Sequence, residues 1–411
     1  MKFAFKYIRT FTFFTILIAI AALGLGSCSG ARILLKQSPK NAPKVTHTPL
    51  AVNPAKLDEY RQTLQDVVFG EIPTFQDAKI TQTKEFGEVL DGTALMEQWQ
   101  VEAGFGGMTR LFHVAILRPV DNPQAPLILS QNFCPNHAVI PIDGLSKPNG
   151  PHIDCSSEGF VNGIFGYFFG RYITTPPLKD IMQRGYGFAA IYPSEFTPDN
   201  TERGLKVIAE LFPDVAAEDR PGALAIWSAQ SIWLTDQIKS KFGIEKVATY
   251  GHSRFGKTAL ISAAFSNNID AVLAHQSGTG GASVIRDDVG EGVDDILENY
   301  QQWFSPRLKA YAEDPSTLPV DAQHLLALIA PRPILLGNAR RDVWSDPNGA
   351  FLAAQQVDVI WEAAGGTGLD QTRLKDFNPK ADIAFWQRPG THGVVKEDWP
   401  AFLEFMDYHL K

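Results

Sequence analysis

Short apolar runs alternate along most of this chain with longer amphipathic stretches. The short runs are typical of strands covered on both faces, and the amphipathic stretches are typical of helices. Strands that alternate with helices predict right-handed β-α-β crossovers and a mostly parallel sheet. We therefore expect an α/β fold arranged as a three-layer α/β/α sandwich. The predicted strands are 98–101, 111–118, 126–131, 187–192, 247–250, 271–274, 333–337 and 383–386, and the predicted helices are 177–184, 222–239, 257–264, 350–364 and 399–410.

One segment interrupts this alternation. Residues 278–319 contain glycines, acidic residues and aromatic residues without a helical or strand pattern. A long irregular stretch inside a regular α/β domain is usually functional or disordered. Its aromatic content favours an ordered wall of a site.

The beginning of the chain has the pattern of an export signal. Lys2, Lys6 and Arg9 precede an apolar run over 11–25, and small residues follow. This order predicts a secretory signal peptide over 1–27 rather than a structural helix.

The tetrad Leu-Gly-Ser-Cys that ends at Cys28 resembles a bacterial lipobox. It predicts that Cys28 is the lipidated first residue of a mature outer-membrane or periplasmic lipoprotein, which touches the membrane only through its lipid. The alternative is an ordinary signal followed by an incidental cysteine. Residues 28–52 then form a solvated tether, and 53–411 form a single domain.

Composition excludes some classes of function. The 411 residues, 45% of them hydrophobic, can bury a large core, and the net charge of −8 gives no basic surface for nucleic acid.

Cys134 and Cys155 of an exported chain would mature in an oxidising compartment. A disulfide between them and two separate buried thiols are alternatives that the sequence does not decide. No metal-binding spacing is present, so we expect neither metal nor cofactor.

Residues 247–260 have the pattern of a nucleophile elbow. An apolar run leads into Gly251-His252-Ser253-Arg254-Phe255-Gly256, and a helix-forming segment follows. Small residues on both sides let the chain turn so sharply that a serine hydroxyl is exposed between strand and helix. The pattern predicts an α/β-hydrolase fold and a serine esterase whose nucleophile is Ser253.

A serine nucleophile needs a base, and in this fold the order along the chain is serine, acid, histidine. His392 lies in a glycine-flanked loop between the last predicted strand and the closing helix. His409 lies on that helix, and His324 precedes a strand. We therefore predict His392 as the base, with a locally bonded loop histidine as the alternative.

Two carboxylates follow the strand 333–337, at Asp342 and Asp346. Asp342 is nearer to the strand end, where the orienting acid normally projects, and we predict it as the third catalytic residue. Asp346 precedes Pro347, so it is expected to begin a helix as its N-cap. The choice between the two stays open.

Arg254 directly follows the nucleophile. A charged donor beside the developing oxyanion would stabilise the tetrahedral intermediate beyond what backbone amides provide. The alternative is an arginine that merely pairs with a nearby carboxylate.

Several stretches form a joint pattern along the chain, at 251–257, 277–282, 298–299 with 303–304, 321–333 and 342–347. Together they resemble the motifs of the glucuronoyl esterases of carbohydrate esterase family 15. The resemblance implies a two-step hydrolysis of the ester between 4-O-methyl-glucuronic acid on xylan and an alcohol of lignin. It also implies that Lys257, Glu298 and Trp344 hold the sugar, although Lys257 taken by itself is more readily interpreted as a solvated surface charge.

One position departs from this family. Many members, especially fungal ones, carry a catalytic glutamate directly before the Ser-Gly-x-Gly-Gly motif, where this chain has Gln276. An amide cannot stabilise an imidazolium by charge. This supports the assignment of the acid to Asp342, as in bacterial members that resemble this chain.

Other functions remain possible at this stage. An acetyl xylan esterase or another small-acyl carbohydrate esterase would use the same three catalytic residues on the same fold. A catalytically inactive surface lipoprotein that binds glycans is the alternative from a different class. We expect a monomer that acts on a glucuronoxylan or lignin-carbohydrate ester.

Overall fold

The structure is a computed structural model, and it describes residues 50–106, 108–152, 155, 169–287 and 289–411. The predicted signal peptide, Cys28 and nearly all of the predicted tether lie outside the described residues. Within the described ranges, no helix combines the length and the apolar character needed to cross a bilayer.

In the part of the chain that the structure describes, nine strands form one sheet in the order β1-β2-β3-β5-β4-β6-β7-β8-β9. The pairs from β5 to β9 are parallel, whereas β1, β2, β3 and β5 pair antiparallel at one end. The predicted α/β-hydrolase fold with a mostly parallel sheet is confirmed. The strands are β1 Lys79–Val89, β2 Ala94–Gly104, β3 Thr109–Pro119, β4 Leu127–Gln131, β5 Gly187–Ile191, β6 Val247–His252, β7 Ala271–His275, β8 Ile334–Ala339 and β9 Ile383–Arg388.

Helices cover both faces of the sheet because the side chains of the parallel strands alternate between two apolar cores. In β4, Leu127 and Leu129 enter one core and Ile128 the other. The first core contains α5, α6 and α9, and the second contains α3 and α10. The α-helices are α1 Leu57–Thr63, α2 Asn136–Val139, α3 Leu178–Gln183, α4 Thr201–Leu211, α5 Ala223–Phe242, α6 Arg254–Ala264, α7 Val293–Asn299, α8 Ala322–Ala327, α9 Pro347–Ala363 and α10 Asp398–Leu410.

Several elements were not predicted from the sequence, among them β1 and α4. β1 was not predicted because its residues are mostly exposed and polar, so no apolar run marks it. α4 was also missed, although Asn200 caps it by accepting a hydrogen bond from the Arg203 amide. Neither element supplies one of the predicted catalytic residues.

The parallel part of the sheet brings four side chains to one edge. Ser253 follows β6, Gln276 follows β7, Asp342 follows β8 and His392 follows β9. These four strands are consecutive neighbours in the sheet. Because the carboxyl ends of parallel strands meet at the same edge, residues distant in sequence lie together there.

Candidate active site

Ser253 occupies the sharp turn between β6 and α6. Its φ is 57° and its ψ is −125°, a conformation that is uncommon for a residue with a side chain. The turn is tight enough that a Cβ on Gly251 would collide with the carbonyl of Phe255. Glycine is therefore required at position 251, and the strained backbone presents the serine at the start of the helix.

His392 and Asp342 form a hydrogen-bonded pair at the edge of the sheet. Nδ1 of His392 lies 2.7 Å from Oδ2 of Asp342 and 3.2 Å from Oγ of Ser345. The Ser345 amide donates to the other oxygen of Asp342 at 3.1 Å. Burial raises the pKa of Asp342, but His392 and the bonds from Ser345 outweigh it and hold that pKa below its usual value. The carboxylate therefore stays ionised, as an orienting acid must.

Ser253 and His392 line the same cavity, which has a volume of about 360 Å³. Because Nδ1 of His392 is bonded to Asp342, its Nε2 is the nitrogen left for the serine hydroxyl. Among the described residues, no hydrogen bond joins the two side chains. Such bonds commonly tighten only when a substrate is bound.

Arg254 also lines this cavity and pairs with a carboxylate, Asp199. Its guanidinium lies 4.6 Å from the ring centre of Trp303 and 5.4 Å from that of Tyr300. Asp199 is itself held by the Trp303 indole, which donates to it at 2.8 Å. The ion pair that sequence analysis gave as the alternative is therefore present, and it fixes the guanidinium beside Ser253. A role as oxyanion donor stays a prediction.

Lys257 is buried in the cavity wall rather than solvated. Its ammonium donates to the carbonyl of Ser277 at 2.6 Å, and only 3% of the residue is exposed. Burial lowers the pKa of Lys257 to about 8. A buried amine with one protein acceptor can still donate to a ligand.

The prediction for Glu298 is wrong in its placement. Glu298 lies on an exposed face of α7 and does not line the cavity, because Ile296 of the same helix faces the core. The carboxylate that lines the cavity is Glu291, which is 8% exposed. The Glu291 amide donates to the carbonyl of Trp344, and Trp344 also lines the cavity. A role of Trp344 in holding a sugar stays a prediction.

The irregular segment 278–319 forms one wall of the cavity, as its aromatic content indicated. Tyr300 and Trp303 stack with ring centres 3.9 Å apart and planes 2° from parallel, and both line the cavity. Phe133 also lines the cavity, as do Cys134 and Cys155, which form a disulfide. The question that sequence left open for these cysteines is thus answered in favour of the bond.

Comparison with known proteins shows which enzymes this chain resembles. A family profile described as "Glucuronyl esterase, fungi" matches residues 198–365. The chain is 29% identical to "Carbohydrate esterase MZ0003", from an unknown prokaryotic organism, over 87% of this chain and 85% of that protein. The chain is therefore similar to the glucuronoyl esterases of carbohydrate esterase family 15.

Other relatives of this family agree with the assignment. A "4-O-methyl-glucuronoyl methylesterase" of Phanerochaete carnosa is 30% identical, but the alignment covers only 41% of this chain and 43% of that enzyme. The solved structure of a promiscuous CE15 esterase from a marine bacterial metagenome matches with a TM-score of 0.75 at 28% identity, covering 91% of this chain and 98% of that one. The glucuronoyl esterase of Solibacter usitatus, at 23% identity and a TM-score of 0.74, shows the same fold. The chain is therefore a carboxylic ester hydrolase.

A neutral histidine lies against His392. The ring of His252 is centred 4.5 Å from that of His392 and 5.0 Å from that of His275. Burial lowers the pKa of His252 and of His275 well below the usual value. Both rings therefore stay uncharged near neutral pH and do not compete with His392 for a proton.

Proposed function

We propose that this chain hydrolyses the ester between 4-O-methyl-glucuronic acid on xylan and alcohols of lignin. The proposal rests on one cavity that is lined both by residues suited to catalysis and by residues suited to binding a sugar. Ser253 and His392 offer the chemistry of acyl transfer. Lys257, Glu291 and Trp344 offer a buried cation, a carboxylate and an indole, which suit the hydroxyls and ring of a uronic acid.

The reaction proceeds by two acyl transfers in this proposal. Ser253 attacks the C6 carbonyl of the glucuronate while His392 takes the serine proton, and Arg254 with backbone amides holds the oxyanion. Protonated His392 then gives its proton to the leaving alcohol. A water molecule, activated by the same imidazole, frees the uronic acid and restores Ser253.

The test uses the chain without its predicted signal peptide and two substrates, benzyl glucuronate and 4-nitrophenyl acetate. We expect Ser253→Ala to lose at least about 10⁴-fold in kcat on both, because the nucleophile is gone. Lys257→Met should raise KM for benzyl glucuronate about tenfold and leave kcat/KM for the acetate within about twofold, because the loss of one charge-assisted hydrogen bond affects only the sugar. Lys246→Met is the control, since Lys246 is half exposed outside the cavity.

A promiscuous small-acyl esterase is the second candidate, and one observation favours it. The relative structure with 28% identity is described as a promiscuous esterase. In that case the acetate would be the better substrate, and Lys257→Met would change neither set of constants. A chain that hydrolyses no ester and leaves Ser253 unlabelled by a fluorophosphonate would instead be an inactive glycan-binding protein.

We also propose that the chain is an exported monomer, lipidated at Cys28. The basic start, the apolar run and the Leu-Gly-Ser-Cys tetrad support this, and the disulfide between Cys134 and Cys155 fits an oxidising compartment. Expressed in a Gram-negative host, the full chain should sediment with membranes, and Cys28→Ser should move it to the soluble periplasmic fraction. Equal distribution of both forms would contradict lipidation at this residue.

A further inference from the structure

Gln276 has an unusual backbone that the surrounding structure holds in place. Its φ is 50°, in the left-handed region where glycine or asparagine is the usual residue. Its backbone amide donates to the backbone carbonyl of Gly337 at 2.7 Å, and its backbone carbonyl accepts from Oγ of Ser345 at 3.0 Å. A long side chain kept at a strained position indicates that the side chain itself is needed there.

The side chain of Gln276 bonds to the backbone on both sides of His392. Its Nε2 donates to the carbonyl of Thr391 at 3.3 Å, and its Oε1 accepts from the amide of Gly393 at 2.8 Å. A carbonyl can only accept and an amide N–H can only donate, so the amide orientation is fixed by chemistry. A glutamate could satisfy the second bond but, when ionised, not the first.

The same loop is anchored at its base by a second buried group. Arg388 donates to the carbonyls of Pro389 and Gly393 at 3.0 and 2.7 Å, and it pairs with Asp398 at 2.9 Å. These bonds hold the ends of the loop from its own strand. The side chain of Gln276 reaches the loop from the end of β7, two strands away from β9 in the sheet. From the end of β8, between them, the backbone amide of Arg341 donates to the carbonyl of Gly390 at 2.8 Å.

We propose that Gln276 is a positioning residue that holds the His392 loop so that Nδ1 remains on Asp342 and Nε2 remains available to Ser253. Two residues then have separate roles at this site. Asp342 provides negative charge beside the imidazole, and the side-chain amide of Gln276 holds the backbone of the loop in position. The inference rests on the proposed function of His392 as the base. Gln276, at the position where many fungal members have a glutamate, then has a positioning role of its own, although it cannot act as the catalytic acid.

The decisive variant is Gln276→Met, which keeps the length of the side chain and removes both bonds. We expect kcat on benzyl glucuronate to fall about 10- to 100-fold, because small displacements of a catalytic group have effects of this size. KM should stay within about threefold. The ¹H NMR signal of the His392 Nδ1 proton, which we expect to be sharp in the parent chain, should broaden or vanish in the variant through faster exchange.

Gln371 offers a matched control. It is a buried amide that likewise bridges backbone, with Oε1 accepting from the Phe385 amide at 2.9 Å and Nε2 donating to the Phe385 carbonyl at 3.1 Å. It holds the strand before the His392 loop but does not line the cavity. Gln371→Met should lower the melting temperature about as much as Gln276→Met and leave kcat within about twofold.

Gln276→Glu completes the series, since it keeps the bond to Gly393 and loses the bond to Thr391. We expect its kcat to lie between that of the parent chain and that of Gln276→Met. The inference fails if Gln276→Met keeps both its kcat and its Nδ1 signal, or if Gln371→Met loses as much activity. A parent chain that hydrolyses no ester would overturn the proposed function instead, while the Nδ1 signal would still decide whether Gln276 positions the ring.

Discussion

Asp342 and Asp346 lie in the same loop after β8 and are both almost fully buried, yet their environments act on them in opposite directions. The pKa of Asp342 is lowered, because His392 and Ser345 outweigh its burial. Burial raises the pKa of Asp346 to about 6, and the nearby amides of Gly349 and Asn348 offset only part of this. Burial alone therefore does not make an orienting acid. A hydrogen-bonded imidazole and a hydrogen-bonded serine do so here.

The backbone explains why only one of the two reaches the histidine. Asp346 has a φ of 39° and occupies the N-cap position of α9, where sequence analysis placed it, although its side chain makes no capping hydrogen bond. Its carbonyl accepts from Oγ of Ser283 at 2.9 Å. This fixes Asp346 toward the helix start, while Asp342 remains beside the end of β9.

The largest effect is expected at Asp342. Asp342→Asn should lower kcat about 10³- to 10⁴-fold with little change in KM, because an amide cannot hold the imidazole in the required tautomer or stabilise it when protonated. Steady-state kinetics on benzyl glucuronate measure this, with thermal unfolding as the check that the variant folds. If Asp346→Asn lost far more activity than Asp342→Asn, the roles of the two carboxylates would be reversed.

Much of this site could be predicted from sequence because it depends on local patterns. The elbow around Ser253 needs only a strand, small residues and a helix, all of which are visible in a single stretch. His392 and Asp342 could be chosen because each follows an apolar run, and a parallel sheet brings such positions to one edge.

The rest depended on contacts that no local pattern contains. Glu291 and Glu298 are both acidic residues in one irregular segment, and only the packing of α7 decides which of them faces the cavity. The role of Gln276 lies in bonds to Thr391 and Gly393, which are more than a hundred positions further along the chain. Asp199, the partner of Arg254, comes from a loop between β5 and α4 that carried no motif.

A smaller effect, visible in stability rather than in rate, is expected at Asp346. Asp346→Asn should leave kcat within about threefold. Because its folded pKa of about 6 lies above the model-peptide value of 3.8, the favourable contribution of Asp346 is complete below pH 3.8 and is lost as the pH rises through 6. Asparagine does not titrate, so the variant should gain unfolding free energy relative to the parent chain between about pH 4 and pH 7, by up to roughly 3 kcal/mol. Urea unfolding of both chains at several pH values measures the difference. A difference that does not change with pH would mean that folding leaves the pKa of Asp346 at its ordinary value, and the opposite shifts of the two carboxylates would not hold.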